Sequence, residues 1–441
     1  MIVLSNDEKA RELADSGGAS TIPRETSMSN LIRRYFIALT IAVGAAGPAV
    51  SAEVIKIAQL EPLTGAFAAA GDVMVKQMQA AVEIANGGKW AGDTTFEVTP
   101  FDNKGSPQES LVQLKLAIDH GYRFVAQGLG SGVALALLDA IKKHNDRNPG
   151  KEVVLLNYFA LDPDMTNSKC SFWHFRFESN TDMRVEALTT FMAKDMSIKR
   201  LYLINQNYDY GHQIQSAVKR YLKRKRPDIQ IVGDDLHPIG RVKDFSPYIA
   251  KIKASGADTV FTGNWGNDFA FLAKAAKEAS LNVVFYGVQP TGTGVATVMG
   301  AAGVGHVKTA LSWHANNETF SGKNIVEAYK KKYNEDFTSI GPYNMLAVLG
   351  AAVKASKSAD PVKLAFAMEG VRVKSLNGEI EMRASDHQLQ QPLYIAEWVK
   401  VNGKDTKYDL ENTGFGWKTI QRVNAYVATQ PTSCQMKRPA K

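Results

Sequence analysis

From residue 53 onward the apolar residues alternate between two spacings. Short apolar runs, "VIKIAQLEP", "TFEVTPFDN", "YRFVAQGLGSG" and "EVVLLNYFA", read as strands. Between them, "DVMVKQMQAAVEIANGG", "SPQESLVQLKLAIDHG" and "VALALLDAIKKHN" repeat their apolar residues at helical spacing. The second of these helices carries its own punctuation, with Ser106 as N-cap, Pro107 at the first position and Gly121 as stop. Strand and helix in strict alternation predict parallel strands with helices layered over the sheet.

The pattern then begins again. "KRLYLINQNYDYG", "IQIVGDDLHP", "ADTVFTGN" and "NVVFYGVQP" are strand-like, separated by helical stretches such as "HQIQSAVKRYLKRKRP" and "NDFAFLAKAAKEASL". Two successive doubly wound halves are the simplest account. The rhythm changes near 303–313, "GVGHVKTALSW". Two helices, "SGKNIVEAYKKKYN" and "GPYNMLAVLGAAVKAS", and a hairpin-like stretch follow. The last 40 or so residues are irregular in pattern.

Residues 33–52, "RRYFIALTIAVGAAGPAVSA", differ from all of this. Two arginines precede an apolar run that ends in small residues. That is the layout of a secretory signal cleaved after Ala52. Pro48 and the many Ala and Gly residues argue against a membrane anchor. Met28 gives a signal of normal length, so 1–27 read as a polar upstream extension and 28–52 as the signal peptide.

A length of 441 residues exceeds what one core usually organises and suggests two lobes. The net charge of +8 is spread over many helices. Its one dense run, "KRYLKRKRP", lies at a helix end and reads as a solvated face, so no nucleic-acid partner is expected. Removing 1–52 takes equal numbers of basic and acidic residues and leaves the charge unchanged. Cys170 and Cys434 are the only cysteines. Export places them in an oxidising compartment, where an isolated pair is expected to be bridged. Two cysteines without clustered histidines cannot build a zinc site, and no cofactor motif is present.

Open parallel sheets bind ligands beyond the carboxyl ends of their strands. Trp265, in "GNWGND", stands on that edge. It reads either as a pocket wall or as packing at a lobe interface. "GLGSG" lacks dinucleotide-loop spacing, because Val133 occupies the third glycine position. No Walker A lysine, H-E-x-x-H or G-x-S-x-G is present, which favours a binding protein over an enzyme. The same loop, with Ser131 at the start of a helix, suits a carboxylate through free N–H groups and the helix dipole. Ser131 serves equally as a plain helix cap.

The ordered succession of the signal, "VIKIAQLEPLTGAFAAAGD", "GLGSG", "QNYDYG", "GNWGND" and "GVQP" resembles the periplasmic solute-binding proteins of branched-chain amino-acid type ABC importers. The resemblance covers nearly all of 53–400. It implies the type I periplasmic-binding fold, two doubly wound α/β lobes joined by a hinge of three crossovers. On that pattern the N-terminal lobe spans 53–172 plus 304–378. The C-terminal lobe spans 173–303 plus 379–400, and 401–441 form a C-terminal tail.

Carried over residue by residue, the resemblance puts the carboxylate-binding serine at Ser131, and Phe159 and Leu161 in the pocket. It puts the second-lobe tyrosine at Tyr210 and a pocket aromatic at Trp265. The position that pairs with a ligand ammonium falls on Gln289, and a first-loop tyrosine falls on Ala70. The implied function is periplasmic: a receptor delivering a small carboxylate-bearing solute to the membrane permease of an ABC importer, with no cofactor and no catalysis. An exported ligand sensor on the same fold is the second reading, and an exported enzyme a distant third. Because an amide cannot neutralise an ammonium, Gln289 points to an organic acid without an α-amino group, unless Asp268 or Glu61 restores the charge.

Overall fold

A computed structural model describes residues 53–318 and 322–440. The expected extension 1–27 and signal 28–52 lie outside the described residues. Strand β1 (Val54–Glu61) is buried from Ile57 to its end, as a strand covered on both faces requires. Helix α1 (Ala68–Gly87), β2 (Thr95–Asp102), α2 (Pro107–Asp119), β3 (Phe124–Gln127), α3 (Ser131–Arg147), β4 (Val154–Asn157) and β5 (His174–Arg176) follow. Their strands form one parallel sheet in the order β2-β1-β3-β4-β5. Helix α2 starts as its sequence predicts. The Ser106 hydroxyl accepts from the Glu109 N–H, and Pro107 occupies the first turn.

The chain leaves this lobe at 177–180 and enters α4 (Thr181–Met192). Strands β6 (Arg200–Gln206), β7 (Gln230–His237), β8 (Thr259–Thr262) and β9 (Val284–Gly287) alternate with α5 (Asp209–Lys225), α6 (Ser246–Ala254) and α7 (Gly266–Glu278). A short helix α8 (Val295–Met299) and β10 (Val307–Leu311) complete the run. Helices α9 (Lys323–Tyr333), α10 (Gly341–Ser356) and α11 (Pro361–Met368) then return to the first lobe, α10 and α11 packing into its core. A small sheet of β11 (Arg372–Ser375), β12 (Gly378–Met382) and β13 (Leu389–Gln390) follows. Last come β14 (Leu393–Lys400), β15 (Phe415–Val423) and α12 (Ala425–Ala428). The second sheet is ordered β15-β14-β10-β9-β8-β6-β7, with β14 and β15 antiparallel at one edge.

Two expected boundaries move. The resemblance puts residues 304–311 in the N-terminal lobe, yet β10 pairs with β9 in parallel and with β14 antiparallel, inside the second sheet. The change of rhythm there marks the last parallel strand, and the lobe crossover comes after it. The resemblance puts residues 379–390 in the C-terminal lobe, yet Ile380, Met382 and Leu389 lie in the core of the first. The crossover falls between β13 and β14, at 391–392.

The tail is also more structured than its pattern suggests. Strand β15 belongs to the second sheet. Beyond α12 the chain crosses back to the first lobe, where Met436 packs on its core and Arg438 meets Glu369 at 2.8 Å. A Cys170–Cys434 disulfide fastens this return. The polypeptide thus passes between lobes four times rather than three. A pattern based on apolar periodicity misses the fourth passage, because one covalent bond and a few contacts secure it.

Candidate functional site

In each sheet the strand order reverses beside the first strand of its lobe. β1 lies between β2 and β3, and β6 lies between β7 and β8. At such points the loops diverge and leave a crevice at the strand carboxyl ends. The loop after β1 carries Phe67, and the turn after β8 carries Trp265. Between the lobes lies a cavity of about 610 Å³, bounded by both loops. That volume is within the range of small-molecule sites, roughly 300–1,000 Å³.

Trp265 is extended, and Gly266 follows at φ +54°, a turn that L side chains adopt poorly. This kink starts α7 and leaves the indole standing over the cavity. Its Nε1–H donates to the Tyr208 hydroxyl at 2.9 Å, and its ring meets Phe67 of the other lobe at 5.3 Å. Phe159, at the end of β4, and Gln289, after β9, also line the cavity. Trp313 follows β10 and adds a further aromatic wall.

Ser131, Leu161 and Tyr210 are not among the lining residues. Leu161 and Tyr210 are buried in the core of the second lobe. The Leu161 carbonyl accepts from the Thr181 N–H and hydroxyl at 2.9 and 3.0 Å, which anchors the first crossover. Ser131 is buried as the first residue of α3.

The "GLGSG" loop spends two of its N–H groups internally. Gly128 and Leu129 donate to the Glu61 carboxylate at 2.5 and 3.2 Å. The Tyr158 hydroxyl donates to the same group at 2.5 Å and accepts from Gln59 Nε2 at 2.8 Å. Burial pushes the Glu61 carboxyl up to about 7, although the Tyr158 hydroxyl and the Leu129 and Gly128 N–H groups pull it down. Across the cleft, the Asp209 carboxylate faces the first turn of α3, 3.9 Å from where a side chain on Gly132 would begin. Glu61 thus takes two of the loop N–H groups that a ligand carboxylate is expected to use.

Sequence reasoning missed Phe67, Trp313 and the wall built by 408–417. Phe67 was within reach, being the one aromatic side chain in the loop after β1. The tail wall was not. Tyr408, Leu410 and Glu411 line the cavity from the segment joining β14 to β15, and Trp417 from β15 itself. The Glu411 carboxylate accepts from the Gly294 and Thr297 N–H groups at 2.6 and 2.8 Å. Its own N–H donates to Asp336 at 2.6 Å, beside the α9 segment that packs on α1. The segment therefore straps the two sides of the cleft together. His314 lies on the same wall, and burial holds its imidazole down to about 3, so it is neutral at physiological pH.

Beneath Gln289 the cavity approaches the crossovers. Glu178 and Arg184 form a buried ion pair at 3.1 Å. Arg184 also donates to the Ser179 hydroxyl and the Val288 carbonyl, and Ser312 of the second crossover donates to Glu178. From the third, Gln388 donates to the Glu178 carbonyl at 2.8 Å. Buried polar groups without such partners are costly, so this network favours one registry of the crossovers.

A family model described as periplasmic binding protein matches residues 54–405. The chain belongs to the periplasmic binding protein family. This periplasmic binding protein is 35% identical over 421 residues to Leu/Ile/Val-binding protein homolog 4 of Brucella abortus, covering 91% of this chain and 96% of that one. Among solved structures it is similar to the closed leucine-, isoleucine-, valine-, threonine- and alanine-binding protein of Brucella ovis. The TM-score is 0.78 at 32% identity, over 88% of this chain and 100% of that one. The solute-binding protein of R. palustris in complex with benzoate shares the fold, with TM-score 0.72 at 20% identity, over 87% and 99% of the two chains. With this family, and with a Leu/Ile/Val-binding protein homolog among its relatives, the chain is a solute-binding protein.

Proposed function

We propose that this receptor is exported by cleavage of residues 28–52 and binds a small carboxylate-bearing solute with a branched aliphatic or aromatic body. It hands that solute to the permease of an ABC importer. The observation that carries the reading is the meeting of Phe67 and Trp265 from opposite lobes over the cavity. An apolar body seated in the cavity against this ring pair is desolvated when the lobes close. Phe159 and Trp313 extend that apolar surface.

The carboxylate end is served by the start of α1. Its first turn carries no acidic residue and no side-chain cap, and Ala69 and Ala70 of that turn line the cavity. Free N–H groups at a helix start, with the dipole behind them, favour a carboxylate. Lys243 adds a positive charge at the rim. The names of relatives support this class: a Leu/Ile/Val-binding protein homolog in Brucella abortus, a leucine-, isoleucine-, valine-, threonine- and alanine-binding protein in Brucella ovis, and a benzoate complex of the R. palustris protein.

Mass spectrometry of small molecules released from the purified protein, followed by small-angle scattering with and without the released compound, tests the reading. An organic acid or amino acid is expected, with a smaller radius of gyration when it is bound. A neutral sugar or a metal chelate as the released compound would overturn it.

A further inference from the structure

The segment 401–414, between β14 and β15, turns at its tip on two residues in the left-handed region. Glu411 and Asn412 hold φ +53° and +55°. Asn tolerates that region, whereas Glu is strained there and stays only where its surroundings hold it. The holding contacts reach both lobes. On the second lobe, the Glu411 carboxylate accepts from the Gly294 and Thr297 N–H groups at 2.6 and 2.8 Å and from the Thr297 hydroxyl at 2.6 Å. On the first, the Glu411 N–H donates to Asp336 at 2.6 Å, and Asp409 pairs with Lys330 at 3.6 Å. Lys330 also pairs with Asp336 at 3.1 Å, and Glu335 ties this corner to Lys76 of α1 at 2.6 Å. Apolar packing divides in the same way. Tyr408 packs on the cluster that holds Ala80 of α1 and Tyr329 of α9, and Leu410 on the core that holds Val295 of α8.

The α8 end of these contacts leads into the cleft. Gly294 and Thr297 close the stretch that begins at Gln289. The Thr291 carbonyl accepts from the Gly266 N–H at 2.8 Å, and a side chain begun on Gly292 would meet the Gly266 Cα at 2.7 Å. The 289–297 stretch is therefore packed tightly against the turn that presents Trp265. One carboxylate thus connects the first lobe, through its own backbone N–H, to the two loops that carry Gln289 and Trp265.

We propose that Glu411 is a latch between the lobes and a positioning residue for Gln289 and Trp265. With its contacts made, the lobes are held towards closure and the 289–297 stretch is set against the Trp265 turn. The proposal rests on the receptor reading for what closure serves. It adds that part of the closing force comes from the chain's own segment between β14 and β15 rather than from the ligand. Hydrogen bonds to an ionised group are roughly twice as strong as neutral ones. Three of them on one carboxylate make a discrete attachment, and Asp336 and α8 cannot part far while both ends are held.

Ligand-stripped protein, refolded from urea with its disulfide intact, tests this without a ligand. Two cuts are compared by small-angle scattering and amide hydrogen exchange. Glu411→Ala severs the second-lobe end. Asp336→Ala with Asp409→Asn severs the first-lobe end and leaves an acceptor for the Gly414 N–H that Asp409 holds at 2.9 Å. Either cut should enlarge the radius of gyration. All three substitutions together should enlarge it no further, because the links act in series. In Glu411→Ala the amides of 262–268 and 289–297 should exchange about tenfold faster, the scale of losing one hydrogen bond to a charged group. Glu411→Gln keeps one acceptor and should recover part of that protection. An unchanged radius in both cuts would overturn the proposal. So would faster exchange confined to 402–414, because Glu411 would then only order its own segment. Enlargements that add would also overturn it, since the two ends would act independently. The receptor reading stands or falls separately, on the compound released from the native protein.

Discussion

The rings of Phe67 and Trp265 belong to different lobes and lie 5.3 Å apart at a 33° tilt. Each follows a strand at the reversal point of its own sheet, so this contact measures how the two lobes face each other. The Trp265 indole is fixed from behind by Tyr208 and by the turn at Gly266, whereas Phe67 stands at the N-cap of α1.

Trp265→Ala should weaken binding of the copurifying ligand about 30-fold or more, the scale of a central aromatic anchor. Phe67→Leu should cost less, since it keeps an apolar wall. Aromatic pairs contribute about 0.5–1.5 kcal/mol beyond area burial, so the two substitutions should couple by that amount in a double-mutant cycle on affinity. Strict additivity would show that the rings part in the bound state.

The Cys170–Cys434 bridge closes the chain over a separation of 264 residues and fastens its fourth passage between lobes. The chain-entropy model gives about 5 kcal/mol for so long a loop, with measured gains often smaller. Thiol titration of the unfolded, unreduced protein should find no free thiol. Cys170→Ser with Cys434→Ser should lower the urea midpoint and expose the last residues to proteolysis before the rest unfolds. A variant with unchanged midpoint and an intact tail would show that Met436 and Arg438 hold the tail without the bridge.

Glu61 makes stability depend on pH in an unusual direction for a carboxylate. Its folded value is about 7 against an ordinary 4.5, with burial as the main cause. The folded state therefore holds a proton that the unfolded state releases between those values. Stability from this group is fully present below pH 4.5 and is lost as pH rises towards 7. A shift of that size corresponds to about 3 kcal/mol. Glu61→Gln should flatten the urea-denaturation profile between pH 4.5 and 7 relative to the unaltered protein. Parallel profiles for the two would mean that Glu61 is ionised throughout.

Much of the architecture was legible because it is local. Alternation between strand and helix spacing from 53 to 290 named nearly every element of the two sheets, and the Ser106–Pro107 start of α2 was read from two residues. Trp265 could be placed at a ligand-facing edge because strand ends and turn residues are short-range signals. The cysteine pair followed from there being two in an exported chain.

Pairing across the chain was decided only by the tertiary structure. β10 reads like any short strand, and its neighbours β9 and β14 determine its lobe. Ser131 sits at the helix start its pattern suggests, but Glu61, seventy residues earlier, takes the Gly128 and Leu129 N–H groups of that loop. Leu161 and Tyr210 stand at strand and helix ends that face the cleft in outline, yet their side chains turn into the second core. Asp268 looks like a helix cap in sequence, while in space Gln206 and Gly240 claim one of its oxygens. Spacing along a chain reports which residues share a face. Which hydrogen-bond donors and charges are already used is a property of the packed interior, where every buried polar group must find its partner and takes it from whichever segment folds beside it.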